Sequence, residues 1–168
     1  VPDACLVLAG KMRRMEYSDY RQLLFEKINN SPVKKSIEVF RGQFPQKTFD
    51  TIISAADTMV FPYSAGAQSG VMSHALAFGK PIVASTLPAF KNIVSASEAG
   101  YTAETDDEYI NAITKLLTDD REHQRLSTNA TNYVRDQISW RLVADKHLEI
   151  YQQFEESLGC KTRYVYVG

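Results

Sequence analysis

The stretch from Phe61 to Ser85, FPYSAGAQSGVMSHALAFGKPIVAS, restricts what this chain can fold into more than any other. An apolar strand over Thr58–Phe61 breaks at Pro62 into a loop of Ser, Gly and Gln. A helical run of small residues, about Gly70–Ala77, comes next, then a Gly79-Lys80-Pro81 turn and a second apolar strand over Pro81–Ala84. Strand, small-residue loop, helix and strand in this order set a helix N-terminus at the carboxyl edge of a parallel sheet. The unpaired N–H groups and dipole of such a terminus attract an anion, most often a phosphate. The segment therefore reads as a phosphate-binding corner. A plain tight turn needing small residues is the alternative.

The rest of the chain alternates between strand-like and helix-like periods. Leu6–Ala9 is a continuous apolar run of the buried-strand kind, closed by Gly10, and it carries Cys5 at its start. Asp19–Ile28 is amphipathic through Tyr20, Leu23, Leu24 and Ile28. Ile37–Phe40 is a short strand ended by Arg41-Gly42, and Gln46–Ala55 is a helix turning Phe49, Ile52 and Ile53 inward. Pro88–Val94 reads as one or two helical turns and Gly100–Ala103 as a short edge strand. From there the pattern is helical: Asp106–Leu117 with its acidic first turn, Arg121–Arg135, and Ser139–Leu158, capped by Ser139 and ended by Gly159. The inward stripe of Asp106–Leu117 is Tyr109, Ile110, Ile113, Leu116 and Leu117.

Such alternation predicts an α/β fold: a Rossmann-like parallel sheet with helices on both faces and extra C-terminal helices. Residues 1–158 form the domain, and 159–168 a tail with a strand-like run at 163–167. In sheets of this kind ligands sit outside the carboxyl ends of the strands. Gly10-Lys11, Arg41-Gly42, Pro62 to Gly70 and Ser85 to Pro88 all fall there. The 168 residues suffice for one domain burying roughly two-thirds of its extended surface. A net charge of −1 without basic blocks argues against nucleic acid and anionic membrane surfaces. No apolar run approaches the ~20 residues a membrane span needs. The 2 cysteines, Cys5 and Cys160, make no disulfide framework, so a reducing, cytoplasmic setting is expected. The chain starts at Val1-Pro2 with no signal peptide, and is expected to be part of a longer protein. No cysteine–histidine cluster has metal-ligand spacing, and no Ser-His-Asp, Cys-His or paired-carboxylate arrangement can be read.

Several segments in order carry a family pattern: Pro2-Asp3 with Leu6 to Gly10, Val39 to Gly42, Ala56-Asp57 to Tyr63, Gln68-Ser69-Gly70-Val71, and Ala75 to Ser85. Ile138-Ser139-Trp140 followed by Tyr151 continues it. Together they resemble the C-terminal, donor-binding domain of retaining glycosyltransferases of the two-domain GT-B type, family 4 or group 1. The resemblance implies a hexosyltransferase-like enzyme of polysaccharide biosynthesis that uses a nucleotide-diphosphate sugar, such as a UDP- or GDP-sugar. It implies no metal, and an N-terminal domain holding a saccharide or lipid-linked acceptor, with which the acceptor side could lie against the inner membrane surface. The diphosphate would meet the amides of Ser69, Gly70, Val71 and Met72. Base and ribose would meet Val39, Phe40, Arg41, Gly42 and His74, and the sugar-side loop would be Ser64, Gly66 and Gln68. No residue is assigned as catalytic, because holding the leaving diphosphate beside the acceptor needs no general base from this half.

The sequence departs from the family in three places. His74 stands where the family has a glutamate on the central helix, and Gly66 replaces an earlier glutamate eight residues before. A subset of the family reads "QSGV" here and lacks the pair. The family's first strand, ending in Gly-Arg, and a following lysine have no counterpart before Val1. Arg163 to Gly168 resembles that strand, so Tyr164–Val167 is expected to fill a central slot, within the chain or by exchange between copies; a trailing edge strand is the plainer reading. Lys11, Arg13 and Arg14 are candidates to replace the absent basic pair. His74 reads either as a ribose or phosphate contact or as a histidine packed against alanine and Phe78. Arg41 reads as a base-stacking group or an exposed strand end, Lys80 as a solvated turn residue, and Trp140 as the anchor docking the last helix. His123 and His147 carry no role. A non-catalytic sugar-nucleotide module and a nucleotide-sugar epimerase of the related fold are the rival functions.

Overall fold

A computed structural model describes residues 1–11, 18–66 and 68–158. Five strands and seven helices alternate in them: β1 Leu6–Gly10, α1 Ser18–Asn29, β2 Ile37–Arg41, α2 Gln46–Ala55, β3 Met59–Phe61, α3 Gly70–Ala77 and β4 Ile82–Ser85. Then come α4 Pro88–Ser97, β5 Gly100–Ala103, α5 Asp106–Thr118, α6 Asp120–Tyr133 and α7 Trp140–Leu158. All pairing among the described residues is parallel, but it falls into two sheets. One pairs β1 with β2, and the other has the order β3-β4-β5.

The three-stranded sheet holds the core. Successive residues of β4 point to opposite faces. Ile82 and Ala84 pack with Phe61, Met72, Leu76, Phe90 and Val94, whereas Val83 packs with Ala103, Leu116 and Leu126 on the other side. Helices α3 and α4 thus cover one face and α5 the other, while α6 sends Ala130 to the first cluster and Leu126 to the second. Burying a side chain such as Phe90 or Leu76 stabilises by roughly 1.5–3 kcal/mol. Gly100 lies against Ile82 so closely that a Cβ there would stand 1.8 Å from the Ile82 carbonyl oxygen. Only glycine permits this strand pair.

Local signals set the helix ends. Thr105 and Glu108 form a reciprocal capping box at α5, and Asp119 caps α6 through the Glu122 amide. Helix α3 stops in a Schellman motif: Gly79 (φ 66°) donates to the Leu76 carbonyl and Lys80 to that of Ala75. Ser139 caps α7 at the Leu142 amide, as expected from sequence.

Several expectations need correction. Leu6–Ala9 is a strand but not a buried one: Leu6 is 49% and Val7 45% exposed, and Cys5 is exposed. A two-stranded sheet builds too small a covered face to bury them. On α1, Tyr20 and Leu23 are exposed while Leu24 and Ile28 are only half-buried, and Ile110 of α5 is exposed. Helix α4 runs on to Ser97, ended by Glu98 in the left-handed conformation rather than by a glycine. The helix expected over Arg121–Arg135 ends at Tyr133, and Val134–Ile138 winds as a π-helix. Trp140 is 88% exposed and docks nothing among the described residues. Lys80 is not merely solvated, since its Nζ donates to the Ser54 carbonyl (2.8 Å) in the last turn of α2, where a cation suits the dipole. His123 Nε2 likewise meets the Asp57 carbonyl at 2.9 Å. Arg13, Arg14, Gly159, Cys160 and the strand expected over Tyr164–Val167 lie outside the described residues.

Candidate functional site: a helix N-terminus at a sheet edge

The corner is built around Ser69. The loop leaving β3 is held by Tyr63, whose ring packs edge-on to Phe61 (6.2 Å) and tilted against Phe90 (5.5 Å). Ser69, buried and extended, then caps α3. Its Oγ accepts from the Met72 amide at 3.2 Å, and its carbonyl takes the same amide (3.1 Å) and that of Ser73 (3.3 Å). The Met72 amide is therefore already engaged, which narrows the expected donor set. Gly70 and Val71, in the first turn, have no intrahelical acceptor, and none is present for them among the described residues. Gly70 is exposed and has open space about its Cα. Among the described residues the amides of Ser69, Gly70 and Val71 thus have no acceptor, and the terminus is open to solvent at Gly70. Ser64, Gly66 and Gln68 are exposed in the loop before it.

His74 sits one turn further along α3. Side chains on a helix lean towards its N-terminus, and His74 Nδ1 reaches the Gly70 carbonyl at 3.0 Å. A carbonyl only accepts, so Nδ1 carries the proton in this bond, and neutral His74 presents Nε2 as an acceptor. The ring is exposed and meets Phe49 of α2 edge-on at 5.3 Å, a neighbour different from the Phe78 packing expected as its bland role.

A second group of predicted residues sits at the ends of β1 and β2. Gly10 pairs with Arg41, the Gly42 amide donates to the Gly10 carbonyl at 3.0 Å, and Lys11 is exposed. Val39 is half-buried and Phe40 46% exposed. Arg41 is exposed, with its guanidinium 4.1 Å from the centre of the Phe25 ring. Ser69, Gly70, Val71, Met72 and His74 are thus assembled on one helix, whereas Val39, Phe40, Arg41 and Gly42 belong to the other sheet. Phe25 escaped the sequence reading, whereas Phe49 was read only as an inward residue of its helix and Tyr63 only as the end of the Ala56-Asp57 to Tyr63 pattern. Phe25 falls in no motif, and no local pattern tells that Phe49 meets His74 or that Tyr63 meets Phe90.

Other features lie elsewhere. A groove of about 700 Å³ runs along α2 between Gln46, Asp50, Ser54 and Phe78 and reaches the first turn of that helix, which has no side-chain cap. The most strongly displaced acidity belongs to a cluster joining β5, α5 and α6. Arg125 and Tyr101 hydrogen-bond Glu122 and hold its carboxyl down at about 2, while burial pushes the Tyr101 phenol up. Among the described residues no three His, Cys, Asp or Glu side chains group as metal ligands, and no helix is long and apolar enough to cross a membrane.

The family model described as glycosyl transferases group 1 matches residues 1–119. A phosphatidyl-myo-inositol mannosyltransferase of Mycobacterium leprae is 28% identical over 116 residues, which is 67% of this chain and 31% of that protein. Among solved structures, Anabaena HepE in complex with UDP superposes with a TM-score of 0.75 at 18% identity, over 95% of this chain and 42% of HepE. The C-terminal domain of a group 1 family protein, LpcC of Francisella tularensis, superposes at 0.70 and 14% identity over 80% of this chain and 87% of that domain. The chain thus spans under half the length of the mannosyltransferase and of HepE, but nearly all of an isolated C-terminal domain.

Proposed function

The chain belongs to the group 1 glycosyl transferases, and from that premise we propose that it is the donor-binding domain of a retaining sugar transferase. Its substrate is a nucleotide-diphosphate sugar, and a companion N-terminal domain presents the saccharide or lipid-linked acceptor. The observation that carries this reading is the α3 terminus, where Ser69 takes the Met72 amide and leaves those of Gly70 and Val71 unspent beside a small-residue loop. The HepE structure with UDP and the mannosyltransferase relative support a sugar nucleotide as the ligand.

The domain's chemistry follows from charge. Breaking the bond between sugar and diphosphate leaves negative charge on the leaving oxygens. Donors fixed in advance at the α3 terminus stabilise that charge more in the transition state than in the bound substrate. Proton transfer from the acceptor to the departing diphosphate would relieve this half of supplying a base. His74 Nε2 meets a ribose hydroxyl, in keeping with its acceptor character, and Ser64, Gly66 and Gln68 line the sugar side. No metal enters this scheme, and the protein works in the cytoplasm, with the acceptor side against the membrane surface. Calorimetric titration with UDP and GDP is the test. Binding of either with micromolar to sub-millimolar affinity is expected, and absence of heat from both at millimolar concentration overturns the proposal.

A further inference from the structure

We propose that this chain carries a second saccharide site, in a small cleft at the edge of the sheet opposite the donor corner. The inference goes beyond the donor-binding reading and does not rest on it.

Helix α4 leaves the carboxyl end of β4 and returns the chain to the amino end of β5, so its last residues lie at the far edge of the sheet from Ser69. There Glu98 (φ 47°) is left-handed, the single non-glycine residue with positive φ among the described residues. Glycine or asparagine takes such a position at little cost, whereas a glutamate works against its backbone preference. Asn129 of α6 ties this turn down, its Nδ2 donating to the Glu98 carbonyl at 2.8 Å. Three and four residues on come Asn132 and Tyr133, and the next turn brings Asp136 and Gln137 on the π-helix Val134–Ile138. Such π-helical turns are frequent at functional sites. Together with the end of α4 these residues line a cleft of about 220 Å³.

The hydrogen-bonding groups decide the ligand. Asn129 spends its Nδ2 on the Glu98 carbonyl and keeps Oδ1 as an acceptor. The side chains of Asn132, Gln137 and Glu98 make no hydrogen bond among the described residues. Amides that both donate and accept thus stand beside carboxylates that only accept. Hydroxyl groups, which also do both, satisfy a wall of this kind. An anion is opposed by Glu98 and Asp136. A metal ion is opposed by the Arg135 guanidinium, which holds both carboxylate oxygens of Asp136 at 2.7 and 2.8 Å, and no three metal-ligating side chains gather among the described residues. The volume falls below the roughly 300–1,000 Å³ of ordinary ligand and cofactor sites, so one pyranose ring is the expected occupant. Across the sheet from the donor corner, that ring is a unit of a glycan and not the sugar being transferred.

The test is an NMR titration of the intact chain with the methyl α-glycosides of glucose, mannose and galactose, followed at the side-chain amides of Asn132 and Gln137. Saturable millimolar shifts of both are expected with at least one glycoside, and they should persist in the presence of UDP. Gln137→Ala is expected to weaken that binding roughly 5-fold. Glu98→Gly, which suits the left-handed position, is expected to weaken it comparably without loss of thermal stability. Circular dichroism of each variant establishes that the helices remain folded. Unchanged affinity in either variant overturns the site. So does a failure of all three glycosides to give saturable shifts, reproduction of the shifts by glycerol at equal concentration, or movement of these amides by Ca²⁺ where the glycosides leave them still. Shifts confined to Gly70 and Val71 would put the sugar in the donor corner and overturn it too. Absence of UDP binding bears on the donor reading alone and leaves each of these outcomes decisive.

Discussion

The two sheets of this molecule have similar strand sequences and opposite fates. In β3-β4-β5 the apolar residues are covered on both faces, and Ile82, Val83 and Ala84 are wholly buried. In β1-β2 an equally apolar run leaves Leu6, Val7 and Phe40 about half exposed, and no residue of either strand is buried. Both sheets are parallel and both carry predicted ligand-facing loops. The difference lies in the neighbours. Three strands clasped by α3, α4, α5 and α6 make a core, and two strands do not. Burial belongs to the company a strand keeps, and the Ser69 to His74 part of the candidate site grows from the side that has it.

That contrast can be broken by mutation. The largest effect is expected from Phe90→Ala, which empties the centre of the first cluster and should cost about 3–5 kcal/mol in urea unfolding. Leu6→Ala should cost under about 1 kcal/mol in the same assay. Comparable losses from the two would abolish the distinction. Gly100→Ala forces a methyl group onto the Ile82 carbonyl and should cost about 3 kcal/mol or more, with lost hydrogen-exchange protection concentrated in β4 and β5. If it is tolerated, the strands are not as close as described.

Smaller effects sharpen the picture. Ser69→Ala removes the α3 cap and should cost about 1 kcal/mol, with donor affinity falling alongside. The Glu122 cluster supplies a pH signature. Its carboxyl sits at about 2 when folded, below an ordinary 4.5, so the unfolded chain binds the extra proton between these values. The cluster's stabilisation is therefore complete above pH 4.5 and fades as pH falls through about 2. Because Arg125 and Lys115 are half-exposed, the effect should amount to only about 1 kcal/mol. Glu122→Gln should flatten that part of the stability–pH curve, and an unchanged curve would show that the pair contributes nothing.

Legibility from sequence follows the range of the forces involved. Helices α2 and α3 have the bounds the sequence predicts, because Pro45, Ser69 and Gly79 are start and stop signals within one turn of the ends they set. The order of strands and helices was readable for the same reason. Helix α4 outran its reading because it stops at Glu98 in a left-handed conformation, held at its carbonyl by the distant Asn129. The exposure of Leu6 and Trp140 was not readable, since apolar character says what a residue would bury against and not whether a partner stands there. At the site, the Ser69 cap was implicit in a serine before a small-residue helix. The Phe49 edge on His74 and the Phe25 face under Arg41 join residues 25 and 16 positions apart, beyond any local period.

The central claim is that the first-turn amides of α3 receive a diphosphate. An amide-resolved NMR titration of the chain with UDP and GDP tests it most directly. The expected result is saturable shifts of the Gly70 and Val71 amides, reversed by competing pyrophosphate, with Met72 moving less because Ser69 holds it. Saturable binding that leaves Gly70 and Val71 unmoved while shifting residues along the α2 groove would contradict it.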